Sequence, residues 1–368
     1  MDTKLYAYYF PNWHVDEQNE RFHGQGWTEW QVMKYATPRF EGHLQPKHPL
    51  WGCEDESDSR VMEKKIETAV NYKIEGFIFD WYWFENGSYR INCIDNGFLK
   101  AKNCEDIKFA VMWCNHTAIQ AHPTSKYDKN KPTIICDNSE KTFFDLTEYC
   151  IKNYFHRPNY ITIEGKPYFC IYSLPDLINK LGVDAVAKMF ADFRERVKKA
   201  GIEDVHINIC DTFYVLPDKS SLNEILEKIG ADSVTPHGWQ KAGLDFPKAE
   251  YSDFVELSMK RMEESQKFLK FPFFPTVAPG WDSSPRTVQS EIYGDYGYPF
   301  CPIVVNNTPE LFAEALKSAK ALSDTVEQKD KFITIASLNE WTEGMYLEPD
   351  EENGFAMLEK VREVKESW

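Results

Sequence analysis

The sequence lacks the signatures of several large protein classes. No apolar run is long enough to span a bilayer, so membrane insertion is not expected. The opening Met1-Asp2-Thr3-Lys4 is not a secretory leader. A cytoplasmic location is expected, or a periplasmic or secreted one where a leader has been removed. The nine cysteines include no CxxC pair and no His partner at zinc spacing. Scattered and odd in number, they read as reduced, mostly buried thiols instead of a disulfide framework. Also missing are a Gly-rich first turn, a Walker-type loop, a GxSxG elbow, and any HExxH or HxH pair. Their absence removes the usual signals for nucleotide-phosphate cradles, serine-triad hydrolases and zinc hydrolases. No catalytic metal and no cofactor are implied. Positive charge is scarce: 42 Lys and Arg face 58 Asp and Glu, a net charge of −16. Nucleic acids and anionic membranes need a basic face, so a neutral or weakly charged substrate fits better. No Gly/Ser linker, low-complexity block or short repeat divides the chain, and residues 1–368 are read as a single catalytic domain.

What the chain has in quantity is aromatic side chains, 15% of residues, with 11 Trp, 19 Tyr and 25 Phe. It also has short β-rich runs alternating with helical stretches. Strands are expected at Leu5-Phe10, Gly76-Asp80, Lys108-Cys114, Pro167-Tyr172, Val205-Cys210, Ser233-Thr235, Phe273-Val277 and Phe332-Ser337. Helices are expected at Ser59-Tyr72, Glu140-Tyr154, Val183-Ala200, Ala249-Leu269, Thr308-Leu322 and Asn353-Glu366. Eight strands with intervening helices indicate an α/β fold, a (β/α)8 TIM barrel with long βα loops forming the active-site face. A doubly wound sheet would need a glycine-rich first turn, where this chain has Tyr9-Phe10-Pro11-Asn12-Trp13.

In such a barrel the site lies at the C-terminal ends of the strands. Ten of the eleven Trp fall there, Trp368 being the exception. That asymmetry points to a cleft where indoles stack on sugar faces, although any one of them could equally pack a long loop. Trp13, Trp27, Trp30, Trp83, Trp113, Trp281 and Trp341 are therefore candidate substrate contacts.

Glu340 and Glu343 directly follow the last apolar strand, in Asn339-Glu340-Trp341-Thr342-Glu343-Gly344. An i, i+3 pair in a helical turn brings the side chains close. Two close carboxylates cannot both ionise freely, so one pKa is expected to rise. A protonated acid beside an ionised base is what glycosidic cleavage requires. The same two Glu could instead sit in solvent as a helix start, and local residues alone leave both readings open. Glu29, Asp80 and Asp282 are further carboxylates at strand tips or in the first loop, and Asn339 could hold a hydroxyl. His116 and His237 are candidate contacts, with a structural His an equal alternative.

The ordered set of motifs resembles glycoside hydrolase family 99 and its WbsX-like relatives. Asn339 to Gly344 with Glu348-Pro349 carries the resemblance. So do Gly26-Trp27-Thr28-Glu29-Trp30, Pro38-Arg39-Phe40-Glu41-Gly42-His43, Tyr82-Trp83-Phe84, Gly165-Lys166-Pro167 and Pro279-Gly280-Trp281-Asp282. One stretch departs: Met112-Trp113-Cys114-Asn115-His116-Thr117 replaces an Asn-Glu-Asn-Trp-like run. The resemblance implies a retaining glycosidase acting on α-mannoside- or α-rhamnoside-type linkages of an oligo- or polysaccharide. It implies Glu343 as general acid/base and Glu340 as the base that deprotonates the sugar 2-OH, giving a 1,2-anhydro intermediate. It also leaves open a glycosyltransferase or transglycosylase of surface-polysaccharide assembly, or a non-catalytic carbohydrate-binding barrel.

Overall fold

The computed structural model describes residues 3–119, 122–128, 133–211, 220–239 and 241–368. Eight strands form its frame: β1 (Lys4–Tyr9), β2 (Gly76–Phe84), β3 (Lys108–Trp113), β4 (Lys166–Ile171), β5 (His206–Cys210), β6 (Ser233–Thr235), β7 (Thr276–Val277) and β8 (Phe332–Ile335). They pair in the order β6-β5-β4-β3-β2-β1-β8-β7, all parallel. The two ends meet at a bridge between Val234 and Phe273. There the Val234 N–H donates to Pro272 O (2.9 Å) and the Phe274 N–H to Val234 O (3.0 Å). The sheet closes on itself, and the expected parallel barrel is what forms.

Among the described residues ten α-helices accompany the strands: α1 (Glu17–His23), α2 (Trp30–Lys34), α3 (Ser59–Asn71), α4 (Glu140–Asn153), α5 (Leu174–Leu181), α6 (Val183–Lys199), α7 (Leu222–Ile229), α8 (Tyr251–Phe268), α9 (Pro309–Asp324) and α10 (Ala356–Glu366). Asp16, Asp58, Ser139, Ser173 and Thr308 accept N–H groups of the first turns that follow them. The six expected helices are found within a few residues. Helices α1, α2, α5 and α7 were not expected. The first two are short turns inside the long first loop. The start of α5 has a readable signal, Ser173 as cap and Pro175 in the first turn. In α7, Leu222, Leu226 and Ile229 form one buried face, and Gly230 ends it at φ +72°.

Alternation along the strands decides what fills the barrel. At its base the Phe332 ring packs on Tyr6 (5.3 Å between centroids), Tyr168 (5.6 Å) and Phe274 (4.3 Å). Gly76 opens β2 here because a Cβ would lie 2.8 Å from Tyr6 Cδ1. The next layer is polar and internally bonded. Thr276 and Thr334 hydroxyls are 2.5 Å apart, and Asn208 Nδ2 donates to Ser233 Oγ (2.7 Å) and Thr235 Oγ1 (2.9 Å). One step higher, Phe10, Asp80, Cys114, Tyr172 and His237 line open space. They make the floor of the cavity described next.

Candidate active site

A cavity of about 650 Å³ opens at the C-terminal ends of the strands. Of the expected residues, Glu29, Asp80, His116, His237, Trp281, Glu340 and Glu343 all face it. Glu340 and Glu343 are brought there by a tight hairpin after β8. Asn339 and Glu340 pair antiparallel with Tyr346 and Met345, around a 3-10 turn at Trp341–Glu343. The Ser337 hydroxyl accepts the Glu340 N–H (2.8 Å) and donates to Met345 O (2.8 Å), locking the hairpin. Gly344 closes it at φ +65°, and a Cβ there would lie 2.7 Å from the Asp282 backbone N. The pair is buried, which decides against two Glu standing in solvent.

One guanidinium organises the carboxylates. Arg286 follows β7 in the turn Ser284–Arg286 and is itself buried. Its Nη1 donates to Glu343 Oε1, its Nη2 to Glu340 Oε1 (3.2 Å), and its Nε to Thr342 Oγ1 (2.9 Å). Glu29 Oε1 lies 3.4 Å from the same Nε and accepts from Thr342 Oγ1 (2.9 Å). The Tyr298 hydroxyl donates to Glu343 Oε1 (2.7 Å). One cation thus serves three carboxylates, and the two Glu of the pair are treated differently. Glu343 is held by Arg286 and Tyr298, whereas Glu340 Oε2 is buried without a partner among the described residues. Burial first, and the charge of Glu343 second, push the Glu340 pKa up to about 8. Glu340 therefore retains its proton at neutral pH. For Glu29 burial works in the same direction, but the charge of Arg286 outweighs it and holds the carboxyl below the usual range.

A stability prediction follows from Glu340. Its folded pKa stands above the ordinary 4.5, so the protonated form favours the folded state and stability falls as pH rises from about 4.5 to about 8. The span corresponds to roughly 4 to 5 kcal/mol. Glu340→Gln, which cannot ionise, is expected to melt several degrees above the parent at pH 9 and to match it near pH 4. Equal melting shifts at both pH values would contradict the buried, shifted carboxyl.

The histidines divide. Burial lowers the His116 and His122 pKa values to about 4 and leaves both neutral. His237 Nε2 sits 3.3 Å from Asp80 Oδ1; burial opposes its charge, but Asp80 outweighs burial and raises the pKa. Lys241 lines the wall with its Nζ 3.5 Å from the centroid of the Trp281 ring, and burial lowers its pKa. Among the described residues, no group of three or more His, Cys, Asp or Glu is placed to hold a metal ion.

The expected indole platform needs correction. Trp13 is fully buried and packs on Trp30 (4.1 Å), which approaches Trp341 (6.2 Å). Trp341 stacks on Tyr346 (3.8 Å) and donates to Glu348 Oε2 (2.9 Å). Trp27 stacks on His23 (4.1 Å), half-buried in the first loop. Trp113 packs on Phe143 and donates to the Trp83 carbonyl (3.1 Å), while Trp83 lies on Tyr149 (5.1 Å). None of these six faces the cavity. Long βα loops bury their own small core, and the indole is the largest side chain available for it. Asn339 is likewise consumed: its Oδ1 accepts the Phe10 N–H (2.8 Å) and its Nδ2 donates to Phe10 O (3.0 Å), tying β8 to β1. Asp282 binds His43 Nε2 (2.8 Å), Gln45 Nε2 (2.6 Å) and the Ser284 N–H (3.0 Å), beside the cavity and not in it. The sequence reading missed Arg286, Arg90, Tyr298, Lys241 and His122, because lone polar residues in loops carry no spacing signal.

Fold and site together define a (β/α)8 barrel with a buried carboxylate pair after its eighth strand. The chain belongs to the family described as Glycosyltransferase WbsX, whose model matches residues 5–361. It is 24% identical over 370 residues to the uncharacterized protein WxcX of Xanthomonas campestris pv. campestris strain B100, covering 99% of this chain and 50% of that protein. The chain therefore spans about half the length of the curated relatives it matches. Among solved structures, the GH99 endo-alpha-mannosidase from Bacteroides thetaiotaomicron superimposes with a TM-score of 0.58 at 17% identity, over 100% of this chain and 98% of that one. A glycoside hydrolase-like protein does so with a TM-score of 0.61 at 16% identity, over 99% and 94%. At such identities the likeness establishes the fold.

Proposed function

We propose that this chain is a retaining glycosidase that cleaves an α-mannoside- or α-rhamnoside-type linkage of an oligo- or polysaccharide. The observation that carries the reading is the unequal pair: two buried carboxylates on one cavity, one held by both Arg286 and Tyr298, the other by Arg286 alone, with its Oε2 unpartnered among the described residues and its pKa raised to about 8. At neutral pH such a pair holds one proton between its members.

In the reading, the substrate 2-OH donates to the free Oε2 of Glu340. That hydrogen bond favours the ionised form of Glu340 and passes the shared proton to Glu343. Glu340 then takes the O2 proton as O2 attacks the anomeric carbon. The bond from that carbon to the leaving oxygen breaks, and the leaving oxygen receives the Glu343 proton. A 1,2-anhydro sugar results. Water opens it at the anomeric carbon, giving its proton to Glu343, while Glu340 returns its proton to O2. Two inversions leave the configuration retained. Asp80, His116, His237 and Trp281 are proposed substrate contacts.

The experiment is digestion of manno- and rhamno-oligosaccharides followed by proton NMR. The reading expects cleavage without any nucleotide sugar and a first product with the anomeric configuration of the substrate. Turnover only in the presence of a nucleotide sugar, with glycosyl transfer to an acceptor, contradicts it. Because the pair works only with one proton between its members, kcat/KM is expected to fall above about pH 8.

A further inference from the structure

The reaction as read above leaves one buried cation of the cavity wall unused. Arg90 is 7% exposed and lines the same cavity as Glu340 and Glu343. Its guanidinium lies among three rings, with centroids at 4.4 Å for Tyr89, 4.6 Å for Tyr82 and 5.2 Å for Phe10. Tyr89 hydrogen-bonds its side chain and Glu29 attracts its charge, but its buried Nε has no acceptor among the described residues. The backbone is held in place for this side chain: Arg90 sits at φ +60°, and its N–H donates to Asp16 Oδ2 (3.0 Å). Aromatic faces stabilise a cation but accept none of its N–H bonds in plane. Burying a guanidinium with part of its fork unmatched is costly unless an oxyanion completes it.

The position of Arg90 relative to the chemistry is also defined. Phe10 carries Arg90 at 5.2 Å and Arg286 at 5.4 Å, so one ring separates the Arg90 guanidinium from the one that holds the carboxylate pair. Neutral His116 lies in the wall nearby with an unpartnered buried Nδ1. We infer that the substrate carries an oxyanion group close to the cleaved linkage, and that Arg90 binds it through its guanidinium fork. A carboxylate matches that fork in two parallel hydrogen bonds, as does a sulfate or phosphate. The net charge of −16 pointed to a neutral or weakly charged substrate; Arg90 adds a local cation to this wall, and recognition is decided by such local groups and not by net charge.

This inference rests on the glycosidase reading for the nature of its ligand, and its test is separate from the cleavage assays. Calorimetry on the full chain compares a rhamno- or manno-oligosaccharide bearing a glucuronate branch with its carboxyl-reduced counterpart; a second arm uses GDP and UDP. The wild type is expected to prefer the acidic glycan by about tenfold or more, the preference shrinking as salt rises. In Arg90→Met the ratio is expected to collapse towards one, and Arg90→Lys is expected to restore part of it. Arg90-dependent binding of a nucleoside diphosphate instead would uphold the oxyanion subsite and identify a diphosphate as its source. Equal wild-type affinity for the acidic and reduced glycans, with no Arg90-dependent diphosphate binding, overturns the inference; the wild-type comparison needs no variant to fold. Loss of the acidic preference would leave the cleavage reading standing, and intact turnover in the Glu variants would sink that reading while leaving the subsite.

Discussion

Glu343→Gln is expected to lower turnover of a natural glycan by about 10³-fold, within the 10²–10⁴ range for a positioned general acid/base. Gln keeps the size of the side chain and can still accept from Arg286 and Tyr298, so the fold should survive. Glu340→Gln is expected to fall at least as far, because no other described residue supplies a free oxygen at its position. The losses should appear in kcat more than in KM, since both groups act on charge that develops during reaction. Measured single-turnover rates near wild type in both variants would remove the pair from the chemistry.

Arg286→Met is expected to produce the second large effect, on stability. Glu29, Glu340 and Glu343 lose their shared cation inside a buried wall. Breaking a buried ion pair from one side costs about 3–5 kcal/mol, and here three carboxylates are left. The deficit should be largest at high pH and shrink as pH falls, because the stranded carboxyls then take up protons. Adding Glu343→Gln to Arg286→Met should recover part of the loss, with a coupling of about 0.5–3 kcal/mol by double-mutant cycle. Additive losses in that cycle would mean that Arg286 acts by packing alone.

The frame was legible for physical reasons. Barrel strands buried on both faces read as unbroken apolar runs, as in Phe332 to Ile335, and helix starts announce themselves by caps such as Asp58, Ser139 and Thr308. The tip of β8 was legible for the same reason: polarity breaks in abruptly at Asn339 and Glu340. The ligand platform was not legible. An indole in a loop looks alike whether it meets a sugar or another loop, and only packing separates Trp281, which faces the cavity, from Trp13, Trp30 and Trp341, which do not. Arg286 and Arg90 were invisible for a different reason. Each acts by meeting residues more than fifty or sixty positions away, Glu343 and Glu340 in one case and Phe10 in the other, and no local pattern encodes such meetings.

The central claim is a division of labour between Glu340 and Glu343, and leaving-group dependence tests it most directly. An aryl glycoside with a strongly acidic phenol departs without protonation, so it needs no acid but still needs the 2-OH base. Rates of Glu343→Gln and Glu340→Gln are measured on a nitrophenyl and a dinitrophenyl glycoside of the cleaved sugar. The account predicts that Glu343→Gln regains most of its lost rate on the dinitrophenyl substrate while Glu340→Gln stays slow on both. Recovery by Glu340→Gln alone would contradict it and reverse the two roles.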